Sequence, residues 1–149
     1  MKIDGFLKIS DIPGASERSG HAEEIEIHGF DFRMKAPHDP NSLARQGRVE
    51  VGPAIFTKDY DQASPYLKRA LFENKALGDV VFSARRTIDN EDNDYLVVTL
   101  TDASISSYEV HPAKDREGVL EEQVGFAYNK IEFAYEKDHK IDMNVRVGK

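Results

Sequence analysis

The chain has 149 residues and a formal net charge of −7, with no cysteine. An acidic chain without a basic block is a poor candidate for binding nucleic acid or an anionic membrane, since both attract cations. The missing cysteines exclude disulfides, thiolate catalysis and cysteine-ligated zinc. Apolar runs are only a few residues long, whereas a membrane-spanning helix needs about 20 apolar residues. The length predicts a single domain over residues 1–149.

Alternation of apolar and polar residues, the period of a half-buried strand, dominates the chain. It predicts about eight strands, over residues 3–9, 22–32, 49–58, 80–88, 95–100, 105–110, 120–135 and 141–147. The alternation changes phase twice, near 28–29 and near 129–130, which predicts a β-bulge at each place. Pro53 lies inside the third strand and predicts an edge or a bend there, because its nitrogen cannot donate to a ladder.

A helix is predicted over residues 64–77. Ser64 is expected to be the N-cap, with Pro65 in the first helical position and Gly78 as the stop. Three cations lie off its apolar stripe and predict a basic outer side: Lys68, Arg69 and Lys75. A solvated face is the simplest interpretation of this pattern. The predicted fold class is mainly β, a barrel or sandwich with one short helix.

The connection over residues 33–47 is too long for an ordinary hairpin, whose loop has about 2–5 residues. It contains two prolines and mixed charge. We predict that it protrudes from the barrel as an arm.

No pattern in the sequence indicates catalysis. The five histidines are scattered without metal-ligand spacing, and the acidic stretch 89–94 lacks the glycine and glutamate of a calcium loop. Adjacent glutamates at 23–24 and 121–122 would face opposite sides of a strand and cannot act on one bond. A nucleophile elbow and a phosphate loop are both missing. We therefore predict a non-enzyme without metal or cofactor.

Three blocks of sequence carry a family resemblance. The first is Phe-Leu-Lys-Ile at 6–9, followed by His-Ala-Glu-Glu-Ile-Glu-Ile at 21–27. The second is Phe-Thr-Lys at 56–58, followed by Asp61 and by Ala-Ser-Pro-Tyr-Leu at 63–67. The third is Glu-Gln-Val at 122–124, continuing through Phe126 and Ile131 to Tyr135. Together they resemble the Hcp family (hemolysin-coregulated protein), the inner-tube protein of type VI secretion systems.

The resemblance implies a β-barrel-like subunit that assembles into hexameric rings, which stack into a tube. It further implies partners, namely a VgrG-type spike, a contractile sheath and effectors carried in the lumen. The subunit would be cytoplasmic before firing and then secreted, and the amino terminus has no apolar segment of the signal-peptide kind. Closing a ring would also cover the sheet edges of each subunit.

The resemblance is weakest around the long loop. Many relatives have a glycine-rich loop after a Trp-x-Trp-like pair, whereas this chain has Phe30-Asp31-Phe32 and a loop rich in proline and charge. In the family this strand lies on the sheet lining the tube. With both phenylalanines inward, alternation predicts three lumen-facing residues: Gly29, Asp31 and Arg33. The loop residues expected to contact neighbouring subunits are Lys35, His38, Asp39, Asn41 and Arg45.

Two other functions remain open at this stage. A tail-tube protein of a phage-like contractile injection system would share the fold, and gene neighbourhood would distinguish the two. A small ligand-binding β-barrel would require an interior cavity lined by alternate strand residues.

Overall fold

The structure, a computed structural model, describes residues 2–38, 40, 41, 44 and 47–145. Within these residues, strands account for most of the regular structure and there is a single helix, α1 (Ser64–Phe72). The strands are β1 (Asp4–Ile9), β2 (Ile25–Ile27), β3 (Gly29–Asp31), β4 (Met34–Lys35), β5 (Glu50–Val51), β6 (Ala54–Asp59), β7 (Gly78–Ile88), β8 (Glu91–Pro112), β9 (Leu120–Ala127), β10 (Lys130–Tyr135) and β11 (His139–Asn144). Among the same residues, no helix is long and apolar enough to cross a membrane.

One antiparallel sheet organises the fold, in the order β2-β1-β7-β8-β9-β6-β3, with β10 pairing β8 and β11. Its centre is β8, a 22-residue strand that replaces the two separate strands expected at 95–100 and 105–110. The first half of β8 pairs with β7 and β10, and its second half pairs with β9. The predicted mainly-β fold class, a barrel or sandwich, is confirmed.

The two end strands of this sheet, β2 and β3, are consecutive along the chain and meet at His28. The backbone N–H of His28 donates to the Thr57 carbonyl at 2.9 Å, and its carbonyl accepts from the N–H of Ile3 at 2.9 Å. In the described part of the chain no ladder pairs β2 with β3, so the sheet wraps around without closing. The predicted bulge at 28–29 is therefore wrong: the chain crosses there from one end of the sheet to the other. This crossing explains why the alternation changes phase.

The predicted bulge at 129–130 is also wrong. The register of β8 with β9 and with β10 is the same on both sides of this point, so neither strand gains a residue. Instead, the side of the ladder that faces the core switches at the same point on β8 and on the β9–β10 segment paired with it, where Asp102 of β8 has a φ of 53°. A bulge does occur nearby, on β8 between Ile105 and Ser107.

The helix lies where the sequence predicts it, but both of its ends differ. The N-cap is Ala63, because Ser64 is already helical and its hydroxyl accepts from the N–H of Asp61 at 2.9 Å. The helix ends at Phe72, and Asn74 (φ 51°) is the left-handed residue that follows it; Gly78 also has a positive φ, 70°, but it begins β7 instead of ending the helix. An asparagine tolerates this conformation better than most residues, and it ends the helix before the glycine is reached.

Phenylalanine rings fill the space enclosed by the sheet. The Phe56 ring packs against Phe30, Phe82 and Phe126, with centroids 5.0–5.6 Å apart. Three of these rings are fully buried, and Phe30 is half-buried against them. An interior occupied in this way gives no support to the hypothesis of a small ligand-binding barrel.

The long connection begins as a short ribbon in which β4 pairs with β5. Pro53, where the sequence predicted an edge or a bend, lies between β5 and β6, so the single strand expected over 49–58 is two strands. The described residues between β4 and β5 are mostly exposed. We call residues 33–47 the arm.

Candidate functional site

The three residues predicted to face the lumen lie on and just after β3. The Phe30 side chain packs into the core, and Asp31 on the opposite face is exposed. Arg33 is also exposed, and its carbonyl accepts from the N–H of Gly52 at 2.9 Å. A Cβ on Gly29 would lie 2.9 Å from Cβ of Thr57, so the close approach of β3 to β6 requires glycine there. The alternation on which the lumen prediction depends is therefore present.

The residues predicted to contact neighbouring subunits lie on the arm. Nζ of Lys35 is 3.5 Å from a carboxylate oxygen of Glu50 across the ribbon, and Nδ1 of His38 is 2.9 Å from the Ala36 carbonyl oxygen. Lys35, His38 and Asn41 are all exposed. The other two predicted contacts, Asp39 and Arg45, lie outside the described residues.

The three predicted cations of the helix side are exposed, and each lies beside a neighbouring residue. Lys68 donates to the Tyr60 hydroxyl at 2.8 Å, with its ammonium 4.7 Å from the centre of that ring. The Arg69 guanidinium lies 6.0 Å from the Tyr66 ring centre. Lys75 follows the helix and lies 3.9 Å from an Asp11 carboxylate oxygen. Such exposed pairs contribute little to stability.

A buried ion pair that the sequence analysis missed lies under the start of the helix. Lys58 on β6 and Glu122 on β9 have side chains only 1% and 0% exposed, and the ammonium donates to the carboxylate. The ammonium also donates to Oδ1 of Asp61 at 3.0 Å and to Oγ of Ser64 at 3.2 Å. The pair therefore ties the helix start to the sheet.

The second carboxylate oxygen of Glu122 accepts from the hydroxyl of Tyr108 on β8. Burial, together with this hydrogen bond, raises the pKa of Tyr108 well above its usual range. The Ser64 hydroxyl donates to Glu122 at 2.7 Å. We call Lys58, Asp61, Ser64, Tyr108 and Glu122 the buried lysine network. A charged group removed from water is tolerated only when its hydrogen bonds are satisfied in this way.

A second charged cluster surrounds His21. Its two ring nitrogens lie 2.8 Å from carboxylate oxygens of Glu24 and Asp94, and its ring stacks on Phe6 at 4.3 Å. Burial raises the pKa of Asp94, but hydrogen bonds from Arg85 and His21 outweigh it, and the net shift is downward. Within the acidic stretch 89–94, Asp94 is therefore an ion-paired part of β8.

The fold is that of Hcp proteins. A solved structure described as "Crystal structure of Hcp protein" has a TM-score of 0.87 and 22% identity, covering 99% of this chain and all of that one. Hcp1 from Salmonella typhimurium has a TM-score of 0.79 and 23% identity, covering 100% of this chain and 99% of that one.

Sequence comparison identifies the family. The profile described as "Type VI secretion system effector, Hcp" matches residues 6–135, so the chain belongs to the Hcp family of type VI secretion systems. A curated relative, "Major exported protein" of Pseudomonas aeruginosa, is 30% identical over 132 residues, which are 85% of this chain and 77% of the relative. The resemblance seen in the sequence is confirmed.

Proposed function

We propose that this chain is a structural, non-enzymatic subunit of the type VI secretion inner tube, which forms hexameric rings that stack and are expelled with effectors in the lumen. The observation that carries the proposal is the family match over residues 6–135. The remaining partners are a VgrG-type spike at the tip of the tube and a contractile sheath around it. The subunit is cytoplasmic before firing and reaches the exterior with the tube.

The sheet supports this proposal because it ends in strands without a second partner. In the described residues, β2, β3 and β11 each pair on one side only. Open edges of this kind invite uncontrolled pairing unless another chain or element covers them. In a closed ring with heterologous contacts, each subunit covers one sheet edge of its neighbour.

The first prediction concerns assembly. Purified protein at micromolar concentration should give a mass about six times the 16.8 kDa of the chain in multi-angle light scattering. Negative-stain images of the same sample should show rings. A stable monomer at this concentration would contradict the proposal.

The exposed face of β3 is the part of the subunit that we assign to the lumen. Asp31 is exposed on it, opposite Ile55 on β6. Six copies in a ring would place six carboxylates around the lumen. Complementary charge favours association, so this lumen should favour effectors with a positively charged surface.

The second prediction tests this assignment. Asp31→Arg should leave the ring intact, because the side chain makes no core contact, but it should reduce export of a positively charged effector carried in the lumen. Quantitative immunoblotting of culture supernatants measures that export. Asp31→Glu keeps the charge and serves as the matched control. Export at the wild-type level by Asp31→Arg would mean that this face does not line the lumen.

The arm and the basic helix side are the two surfaces that we assign to contacts outside the subunit. The arm would contact a neighbouring subunit in the same ring or the next ring. The exposed ammonium and guanidinium groups of Lys68, Arg69 and Lys75 would face an acidic surface of the sheath or of a neighbour. Because the chain itself carries a net charge of −7, contacts between its copies should weaken unless such cations offset the repulsion.

A further inference from the structure

A histidine and two carboxylates meet at the point where the chain crosses from β2 to β3. His28 lies at the crossing, Asp59 ends β6, and Glu121 is the second residue of β9. Nε2 of His28 is 3.1 Å from Oδ1 of Asp59 and 3.6 Å from Oε2 of Glu121. All three ligand atoms lie within 4.8 Å of one another, and the side chains are partly buried. We call these three residues the crossing cluster.

The 3.1 Å contact between His28 and Asp59 is a hydrogen bond, and the three ligand atoms are also close enough to share one metal ion. In a tetrahedral zinc site, bonds of about 2.0–2.2 Å place neighbouring ligand atoms roughly 3.3–3.5 Å apart. The separations of 3.1 and 3.6 Å from the His28 nitrogen differ from that range by a few tenths of an ångström. The Asp59 and Glu121 oxygens, which lie within 4.8 Å of each other, would have to come into the same range for all three groups to surround an ion.

The donor atoms select the kind of ion. One imidazole nitrogen with two carboxylates suits Zn²⁺ and similar transition ions, whereas Ca²⁺ and Mg²⁺ favour sites made only of oxygen. The two negative charges of the carboxylates balance the two positive charges of the ion. The cluster opens onto a surface depression also lined by Lys114 and His111, so solvent can reach a fourth coordination position.

A positively charged group already lies at this position. The Arg116 guanidinium donates to both oxygens of Asp59 at 2.6 and 2.7 Å and lies 3.6 Å from Oε2 of Glu121. Its hydrogen bonds to Asp59 lower the pKa of that carboxyl to about 2. Arg116 comes from the loop between β8 and β9, and about a third of its side chain is exposed, so it can leave without disturbing the core.

We propose that His28, Asp59 and Glu121 form a Zn²⁺ site from which the Arg116 side chain is displaced when the ion binds. Bound zinc would join the crossing, the end of β6 and the start of β9. The proposed site departs from the sequence-based prediction that the histidines are scattered and that the protein binds no metal. Sequence spacing could not indicate the cluster, because His28 and Asp59 are 31 residues apart and Glu121 is farther still.

The test is a zinc titration of tag-free protein against a chromophoric chelator. We expect one Zn²⁺ per chain, with affinity reduced at least about tenfold in both His28→Gln and Glu121→Gln. His111→Gln removes another histidine from the same depression and is the matched control, with affinity within about twofold of the parent protein. Absence of zinc uptake, or affinity unchanged in both cluster variants, would overturn the proposal.

Arg116→Gln gives an independent result with the cluster intact. Loss of the competing guanidinium should raise zinc affinity several-fold, whereas Arg86→Gln, which removes an exposed arginine paired with Glu136 at 2.6 Å, should not. Co²⁺ bound to the Arg116→Gln protein should show the intense visible absorption of a four-coordinate site. Equal or weaker zinc binding by Arg116→Gln would contradict displacement of the arginine and overturn the proposal. None of these measurements depends on secretion.

Discussion

Lys58→Met should destabilise the folded subunit by about 3–5 kcal/mol, because the substitution leaves Glu122 buried without its countercharge. Glu122 is 0% exposed, so its carboxylate cannot regain water in place of the lysine. The helix start should loosen as well, since Lys58 also donates to Asp61 and Ser64. Urea unfolding followed by circular dichroism, at one fixed protein concentration, measures the loss.

The matched control is Lys35→Met. Lys35 also pairs with a glutamate, Glu50, but their side chains are 79% and 63% exposed. This substitution should leave the urea midpoint almost unchanged. The double variant Lys58→Met, Glu122→Leu should recover part of the loss, since no charge then stays buried. Equal midpoints for Lys58→Met and Lys35→Met would mean that the buried lysine network is not a major source of stability.

Replacing residues 36–48 by a four-residue turn should leave the subunit folded but prevent tube formation. The described residues of this stretch are mostly exposed, and the β4–β5 ribbon at its base is kept. Loss of the stretch removes the contacts with neighbouring subunits that we assign to the arm. Near-wild-type thermal unfolding, together with the absence of tubes in negative-stain images and of export from cells, is the expected result.

A change at another exposed hairpin provides the control for the arm. Asp89 and Asn90 form the β7–β8 turn, with φ values of 53° and 65°. Replacing them with Asn-Gly keeps a turn of the same type, so assembly and export should be unaffected. Tubes that form normally without residues 36–48 would show that the arm has no part in assembly.

The strands could be predicted because alternation follows directly from having one buried face. What alternation could not show was which strands pair. The phase change at His28 was correctly located but interpreted as a bulge, since a bulge and a crossing between sheet ends both reverse the face of the chain. The same ambiguity affected residues 129–130, where two paired strands change face together. Tertiary pairing, which a single sequence does not display, decides between these cases.

The charged clusters were the least predictable part of the molecule. Lys58 and Glu122 both occur in the blocks that carry the family resemblance, yet their role was missed because lysine and glutamate normally indicate a solvated surface. One signal was present: in the strand 54–59, Lys58 falls on the same face as Ala54 and Phe56. A charged residue in a buried register predicts a buried partner, but the partner lies 64 residues away on another strand.

The pairing of β1 also determines when the fold can form during synthesis. Besides the three-residue β2, its only ladder partner in the described chain is β7, which ends at Ile88. At about 5–20 residues per second, a ribosome takes roughly 4–16 s to extend the chain from Ile9 to that point. All-β domains with such distant pairings fold in about milliseconds to seconds. The wait for β7 to be synthesised is therefore as long as the folding reaction or longer, and one edge of β1 has no strand to pair with throughout it.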